Sequence, residues 1–187
     1  MILGIGYKAG SGKDTAAKYI SEQYGFLRIH FATGLKRAAK EIFGFSKAQL
    51  FGNAKELPDE YWDKLSPRQA LQELGQMCRE EFGEDVWIKS VQKFLLQEYG
   101  SLSATDIIFA DVRHINEAEW IHANGGKLIH IHRNNIGTFR PDHISECALD
   151  TYTGWDYTID NNRSIGVLFD RVDDIMRGLG RRPLCSQ

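Results

Sequence analysis

Residues 1–20, MILGIGYKAGSGKDTAAKYI, constrain the fold more than any other stretch: an apolar run breaks into a glycine-rich turn and resumes as a helical pattern at Lys13. A phosphate-binding loop of the form G-x-x-x-x-G-K-[ST] follows a strand and opens a helix, and this stretch meets that form in part. Counting back from Gly12, the first glycine position holds Tyr7, with Gly6 one residue earlier; Asp14 stands where Ser or Thr is usual, and Thr15 follows. The physical requirements survive these departures. Gly10 and Gly12 permit positive φ and close approach, so backbone N–H groups from Ala9 through Ser11 to Lys13 can converge on phosphate oxygens. A helix opening at Lys13 adds the positive end of its dipole, and the lysine supplies a charge that can follow a transferred phosphoryl group. An ordinary strand-to-helix turn would share the glycines and the serine, but does not need the lysine and threonine. Asp14 beside phosphates is repulsive unless a cation lies between, which makes it a candidate Mg²⁺ ligand through water. A first-turn acid favoured by the helix dipole is the other reading.

Short apolar runs recur at residues 1–5, 26–32, 107–110 and 127–132, with a weaker one at 157–159. Between them lie helix-like segments at 13–24, closed by Gly25, at 114–124, closed by Gly125, and at 164–176; glycine after a periodic segment is a helix stop. Strands alternating with helices predict a parallel five-stranded sheet with helices on both faces, in a single α/β domain covering residues 1–187. The stretch between the second and third runs is too long for one crossover. It predicts a helical insertion, about residues 34–104, that carries substrate specificity.

The net charge of −2 and pI near 6.3 argue against a nucleic-acid polymer as partner, which calls for a basic footprint. No apolar run approaches a membrane span, and the start lacks a signal-type pattern, so no membrane partner and cytoplasmic residence are expected. Cys78, Cys147 and Cys185 are far apart and odd in number, which gives neither a disulfide framework nor a zinc pattern. His130 and His132 share one strand face by period-two spacing, as packed or surface residues rather than as a metal pair.

Within the insertion stands KLSPRQALQELGQMCREEFGEDVW. Ser66 is a good N-cap, Pro67 fits the first helical position and Gln69 can complete a capping box. At about 100° per residue, Arg68, Gln72, Gly75 and Arg79 share one arc, while Leu71, Leu74, Met77, Cys78 and Phe82 make a separate apolar arc. The arginines then lie on a flank between core and solvent, where a cleft wall would be. Paired guanidinium groups suit bidentate recognition of a phosphate; a salt-bridging face is the competing reading.

GSGKDT at residues 10–15, FATGLKRAA at 31–39, SPRQALQELGQMCRE at 66–80, FADVRHINEAEWI at 109–121 and DHISE at 142–146 together resemble the phage-type deoxynucleoside monophosphate kinases, in family order across nearly the entire chain. The layout also resembles animal-type phosphomevalonate kinases. The first resemblance implies a P-loop NTPase fold of the nucleoside-monophosphate-kinase kind. It also implies ATP as phosphoryl donor, Mg²⁺, and a deoxynucleoside or nucleoside monophosphate as acceptor. It strengthens the phosphate reading of Arg68 and Arg79, with Gln72 beside them, and brings in Lys36 as a substrate-binding residue. Asp111 matches a Walker B position that can hold Mg²⁺-bound water, and Arg113 can contact the acceptor or the transferred phosphate; capping of the next helix or a surface pair is the alternative for both. Glu117 reads as helix surface. The segment RNNIGTFRPDHISE, within a lid of about residues 133–150, offers Arg133 and Arg140 for charge on the transferred group; a solvent-exposed loop with incidental arginines is the alternative. His143, Ser145 and Glu146 match a family block without a chemistry of their own. Asn161 and Arg163 follow the fifth run and border the adenine in this reading. Trp87 offers either an aromatic surface for a base or a core residue.

The resulting expectation is transfer of the γ-phosphoryl group of ATP to a nucleoside monophosphate. A phosphomevalonate-kinase-like enzyme and a nucleotide-dependent switch are the alternatives; the switch lacks an Asn-Lys-x-Asp segment for reading guanine. Base, sugar and oligomeric state stay open, a homodimer included.

Overall fold

The computed structural model describes residues 1–102, 104–134 and 144–184, without the side chains of Ser145 and Glu146. Along the chain run β1 (Ile2–Gly6), α1 (Lys13–Tyr24), β2 (Leu27–Ile29), α2 (Thr33–Phe43), α3 (Lys47–Phe51), a single 3₁₀ turn (Glu60–Trp62), α4 (Pro67–Phe82), α5 (Val86–Tyr99), β3 (Ile107–Val112), α6 (Ile115–Ala123), β4 (Lys127–His132), α7 (Ile144–Cys147), β5 (Tyr157–Asp160) and α8 (Ile165–Gly178). The chain divides into two compact units, residues 1–30 with 95–187, and residues 31–94.

The first unit is built on a parallel sheet in the order β2-β3-β1-β4-β5. Alternation along each strand sends Leu3, Ile5, Ile108, Ala110, Ile129 and Ile131 to one face, where they pack with Ala16, Ala17 and Ile20 of α1 and Leu168, Val172 and Met176 of α8. The other face receives α6. A Cβ on Gly4 would lie only 2.5 Å from Ile121 Cδ1, so the missing side chain is what lets α6 approach β1, and Phe109 meets Trp120 edge-on at 5.7 Å. Because α1 and α6 cover opposite faces, the winding reverses between the adjacent strands β1 and β3. Open α/β sheets bind ligands outside the carboxyl ends of the strands at such a switch point. This is the expected P-loop kinase-like α/β fold with helices on both faces. The β1–β3 register runs Gly4↔Phe109 and then Gly6↔Val112, so β3 carries one extra residue beside the switch point. Such bulges re-aim side chains near functional sites, and Asp111 lies in this one.

Helix α1 has the expected bounds, with Gly25 closing it at φ 74°. Strand β2 is shorter than its apolar run: Phe26 and Phe31 are buried but lie outside the ladder, so burial rather than pairing explains the ends of that run. Helix α4 starts as its sequence indicates, with the Gln69 N–H donating to Ser66 Oγ. Its buried side, however, is not the apolar arc. Ala70, Gln72, Gly75 and Arg79 are buried, while Met77 and Phe82 are 52 % and 71 % exposed. The close approach at Gly75 accounts for this. A Cβ there would lie 3.1 Å from Leu35 Cδ2 of α2, and the Trp87 indole N–H donates to the Gly75 carbonyl at 3.3 Å. The second unit packs around Ala39, Phe45, Leu50 and Ala70, with Leu71 and Leu74 partly buried against them. Among the described residues no helix is long and apolar enough to cross a membrane.

Candidate active site

The chain leaves β1 at Gly6 and turns through backbone conformations that glycine favours: φ is 80° at Gly10 and 102° at Gly12, and Tyr7 adopts φ 107° without being glycine. That is a strained conformation for a side-chain-bearing residue. It is held by rings: Tyr7 meets His130 edge-on at 4.5 Å and His132 at 5.9 Å, and His130 stacks on Trp155 at 4.9 Å. The side chain at the first glycine position is thus accommodated by packing against these rings. Burial first, and His132 second, lower the His130 imidazole below its ordinary range.

Lys13 opens α1 almost completely buried, at 4 % exposure, and its Nζ donates to the Lys8 carbonyl at 3.0 Å. The ammonium therefore spans the loop it belongs to. Asp14 and Thr15 are exposed in the first turn, beside N–H groups that the helix cannot satisfy. Ala9 is half-buried, whereas Ser11 is fully buried, with no hydrogen-bond partner for Oγ among the described residues. Lys8 forms an ion pair with Asp150 at 3.1 Å, and that hydrogen bond holds its ammonium above the usual range.

Across the switch point, Asp111 is brought to the same sheet edge, its carboxylate 14 % exposed and 3.7 Å from His30 at the end of β2. Sequence reading missed His30, since a lone histidine after a short strand carries no pattern. Arg113 follows, half-buried. The helix-surface reading of Glu117 is corrected: it is 2 % exposed and its carboxylate accepts from the N–H groups of Arg113 and His114 at 2.8 and 3.2 Å. The charge is buried because its carboxylate satisfies two backbone donors. Asn161, expected at the adenine, is buried and donates Nδ2 to the Ser11 carbonyl at 2.8 Å. Arg133 is exposed just beyond β4, as is Arg163 beyond β5; Arg140 and His143 lie outside the described residues. Among the described residues no three His, Cys, Asp or Glu side chains converge on a metal position. A cage made by the protein alone is not what Mg²⁺ requires, since it is held by one or two carboxylates plus substrate phosphates.

In the second unit, Arg68 pairs with Glu56, and the Arg79 guanidinium donates to the Glu84 carbonyl at 2.5 Å while 5 % exposed. Both arginines thus have partners within their own unit. Between them Gln72 is 8 % exposed, and neither atom of its amide finds a partner among the described residues. Lys36 lies 4.6 Å over the Phe51 ring. Trp87 is buried at 8 % exposure.

A sequence profile of the deoxynucleotide monophosphate kinase family matches residues 39–172. A protein of Acanthamoeba polyphaga mimivirus, provisionally named a deoxynucleotide monophosphate kinase, is 31% identical over 183 residues, covering 92% of this chain and 94% of its own. Among solved structures, shikimate kinase from Aquifex aeolicus aligns with a TM-score of 0.49 at 14% identity over 96% of this chain and 98% of its own. Shikimate kinase from Acinetobacter baumannii, in complex with shikimate, aligns at 0.42 and 14% over 95% and 92%. The profile covers most of the chain, and the mimivirus protein matches it nearly end to end: the chain belongs to the deoxynucleotide monophosphate kinase family.

Proposed function

We propose that the protein transfers the γ-phosphoryl group of ATP to a deoxynucleoside or nucleoside 5′-monophosphate, giving the diphosphate and ADP. The observation that carries this reading is the loop between β1 and α1. Its positive-φ glycines and the buried Lys13 end at the switch point, with Asp111 on the neighbouring strand. Family membership supplies the acceptor class. The loop precedes the span matched by the family profile, so its geometry is an independent support.

In this mechanism Lys13 exchanges the Lys8 carbonyl for phosphate oxygens, and the N–H groups of residues 9–15 cradle the donor chain. An oxygen of the acceptor phosphate attacks the γ-phosphorus, the bond to the β-γ bridging oxygen breaks, and ADP leaves with that electron pair. The acceptor is already an oxyanion, so no covalent enzyme intermediate and no strong general base are needed. Arg133 and Arg140 meet developing charge on the transferred group. Arg68, Gln72, Arg79, Lys36 and Trp87 bind the acceptor, and Arg113 contacts the acceptor or the transferred phosphate. The available donors, the Asp14 and Asp111 carboxylates and the Thr15 hydroxyl, are hard oxygens that fit Mg²⁺. When bound, Mg²⁺ neutralises charge on the donor phosphates.

The test is ADP formation from ATP with a panel of dNMPs, NMPs and phosphomevalonate. Turnover with one or more nucleotides supports the reading. Turnover with phosphomevalonate alone, or ADP release that needs no acceptor, overturns it.

A further inference from the structure

Asn161 follows β5 and is fixed through its own backbone: its N–H donates to the His132 carbonyl at 2.7 Å. The next residue, Asn162, is braced on Asp160, its N–H and side-chain amide reaching that carboxylate at 3.0 and 2.6 Å. The Asp160 carbonyl in turn accepts from Arg171 of α8 at 2.8 Å. From this support the Asn161 amide, 8 % exposed, reaches the Ser11 carbonyl. It also occupies the space beside Gly12, where a Cβ would lie 2.2 Å from Nδ2.

No peptide bond among the described residues is cis, and in a planar trans peptide the carbonyl and the N–H point in opposite directions. Holding the Ser11 carbonyl on Asn161 therefore turns the Gly12 N–H away from Asn161, and among the described residues that N–H has no acceptor. The same contact defines what Gly12 must be. Its φ of 102° and the amide against it both exclude a side chain.

We propose that Asn161 is a positioning residue for the phosphate loop: it pins the Ser11–Gly12 peptide so that the Gly12 N–H is presented to the donor phosphates, and it does not read the nucleotide base. This inference rests on the donor-site reading above. It replaces the role at the adenine edge with one that acts through the backbone, and it ties loop geometry to the turn after β5. Preorganised donors are most useful where they need no rearrangement when charge arrives.

The experiment measures binding of Mg²⁺–ATP, of Mg²⁺–tripolyphosphate, which has no base, and of each of the four dNMPs. It compares wild type, Asn161→Ala and Asn161→Asp, with thermal unfolding alongside. Asp keeps the size of Asn but sets an acceptor against the Ser11 carbonyl. The expected result is an equal loss of about tenfold for ATP and tripolyphosphate in the Ala variant, a larger equal loss in the Asp variant, and unchanged dNMP binding. A loss confined to ATP means a base contact and overturns the proposal. So does an equal loss for the dNMPs, an unchanged affinity for tripolyphosphate, or failure of both variants to fold. If wild type binds neither ATP nor tripolyphosphate, the donor-site reading itself falls and takes this inference with it. If wild type binds both and the variants bind equally well, only the inference falls.

Discussion

His30 Nδ1 lies 3.7 Å from the Asp111 carboxylate, across the carboxyl ends of the neighbouring strands β2 and β3. The extra residue in β3 places Asp111 where the winding of the sheet reverses, and the distance to His30 is longer than a hydrogen bond. His30 therefore flanks the carboxylate at ion-pair distance. Asp111→Asn should raise the Mg²⁺ concentration for half-maximal rate by about tenfold or more, since it removes one charge from the proposed ion position. His30→Gln should change it by a smaller factor. A Mg²⁺ titration of the rate that is the same in wild type and Asp111→Asn would remove Asp111 from metal binding.

Gln72 gives a prediction in which stability and affinity move in opposite directions. Its buried amide lacks partners among the described residues, and an unsatisfied buried polar group costs about 1–3 kcal/mol. Gln72→Met, of similar length, should raise the unfolding temperature by a few degrees and weaken dNMP binding by about tenfold. Arg68→Ala should weaken the same binding by about ten- to hundredfold while ATP binding changes little. A stabilised Gln72→Met variant with wild-type acceptor affinity would make the amide a packing defect.

Tyr7 tests whether the loop is held by rings. Its φ of 107° carries a strain of roughly 1–3 kcal/mol, against ring contacts with His130 and His132 of about 0.5–1.5 kcal/mol each. Tyr7→Gly loses both, so its stability in urea unfolding should stay within about 1 kcal/mol of wild type. Tyr7→Ala keeps the strain and loses the rings. It should be the less stable of the two variants by about 1 kcal/mol; equal stability would show that the backbone there is unstrained.

The His130 imidazole, lowered by burial and by His132, faces the rings of Tyr7, His132 and Trp155. A base whose folded value is depressed takes its proton first in the unfolded chain. Its contribution to stability is therefore intact above the ordinary value of 6.5 and is lost as pH falls from there through the folded value. Urea unfolding between pH 8 and pH 5 should show wild type losing more stability than His130→Phe. Parallel pH profiles would show that His130 is protonated as readily folded as unfolded.

The sheet was legible because buried parallel strands are near-continuous apolar runs, and α1 was legible to its last residue because Gly25 stops it. What escaped was set by contacts that periodicity does not encode. The buried side of α4 follows from the closeness of Gly75 to Leu35, not from its largest apolar residues. Glu117 is buried because it serves two backbone donors, and a charge count ranks such a residue as surface. Tyr7 departs from the loop pattern in side chain yet adopts a positive φ of the kind glycine favours. Asn161 is marked in the sequence only by its place after β5, and its partner, a backbone carbonyl 150 residues away, leaves no trace in local sequence.

The most direct measurement follows both products, ADP and the deoxynucleoside diphosphate, in reactions of ATP with each dNMP, for wild type and Lys13→Met. Methionine keeps the apolar stem of a side chain that is 4 % exposed and removes only the ammonium. Wild type should form the two products one for one, and only when a dNMP is present. Lys13→Met should form both about a hundred- to a thousandfold more slowly, the scale of loss when a preorganised charge partner is removed from the transition state, with the unfolding temperature within a few degrees of wild type. Wild-type turnover in Lys13→Met, or ADP formed without a matching diphosphate, would contradict phosphoryl transfer at this loop.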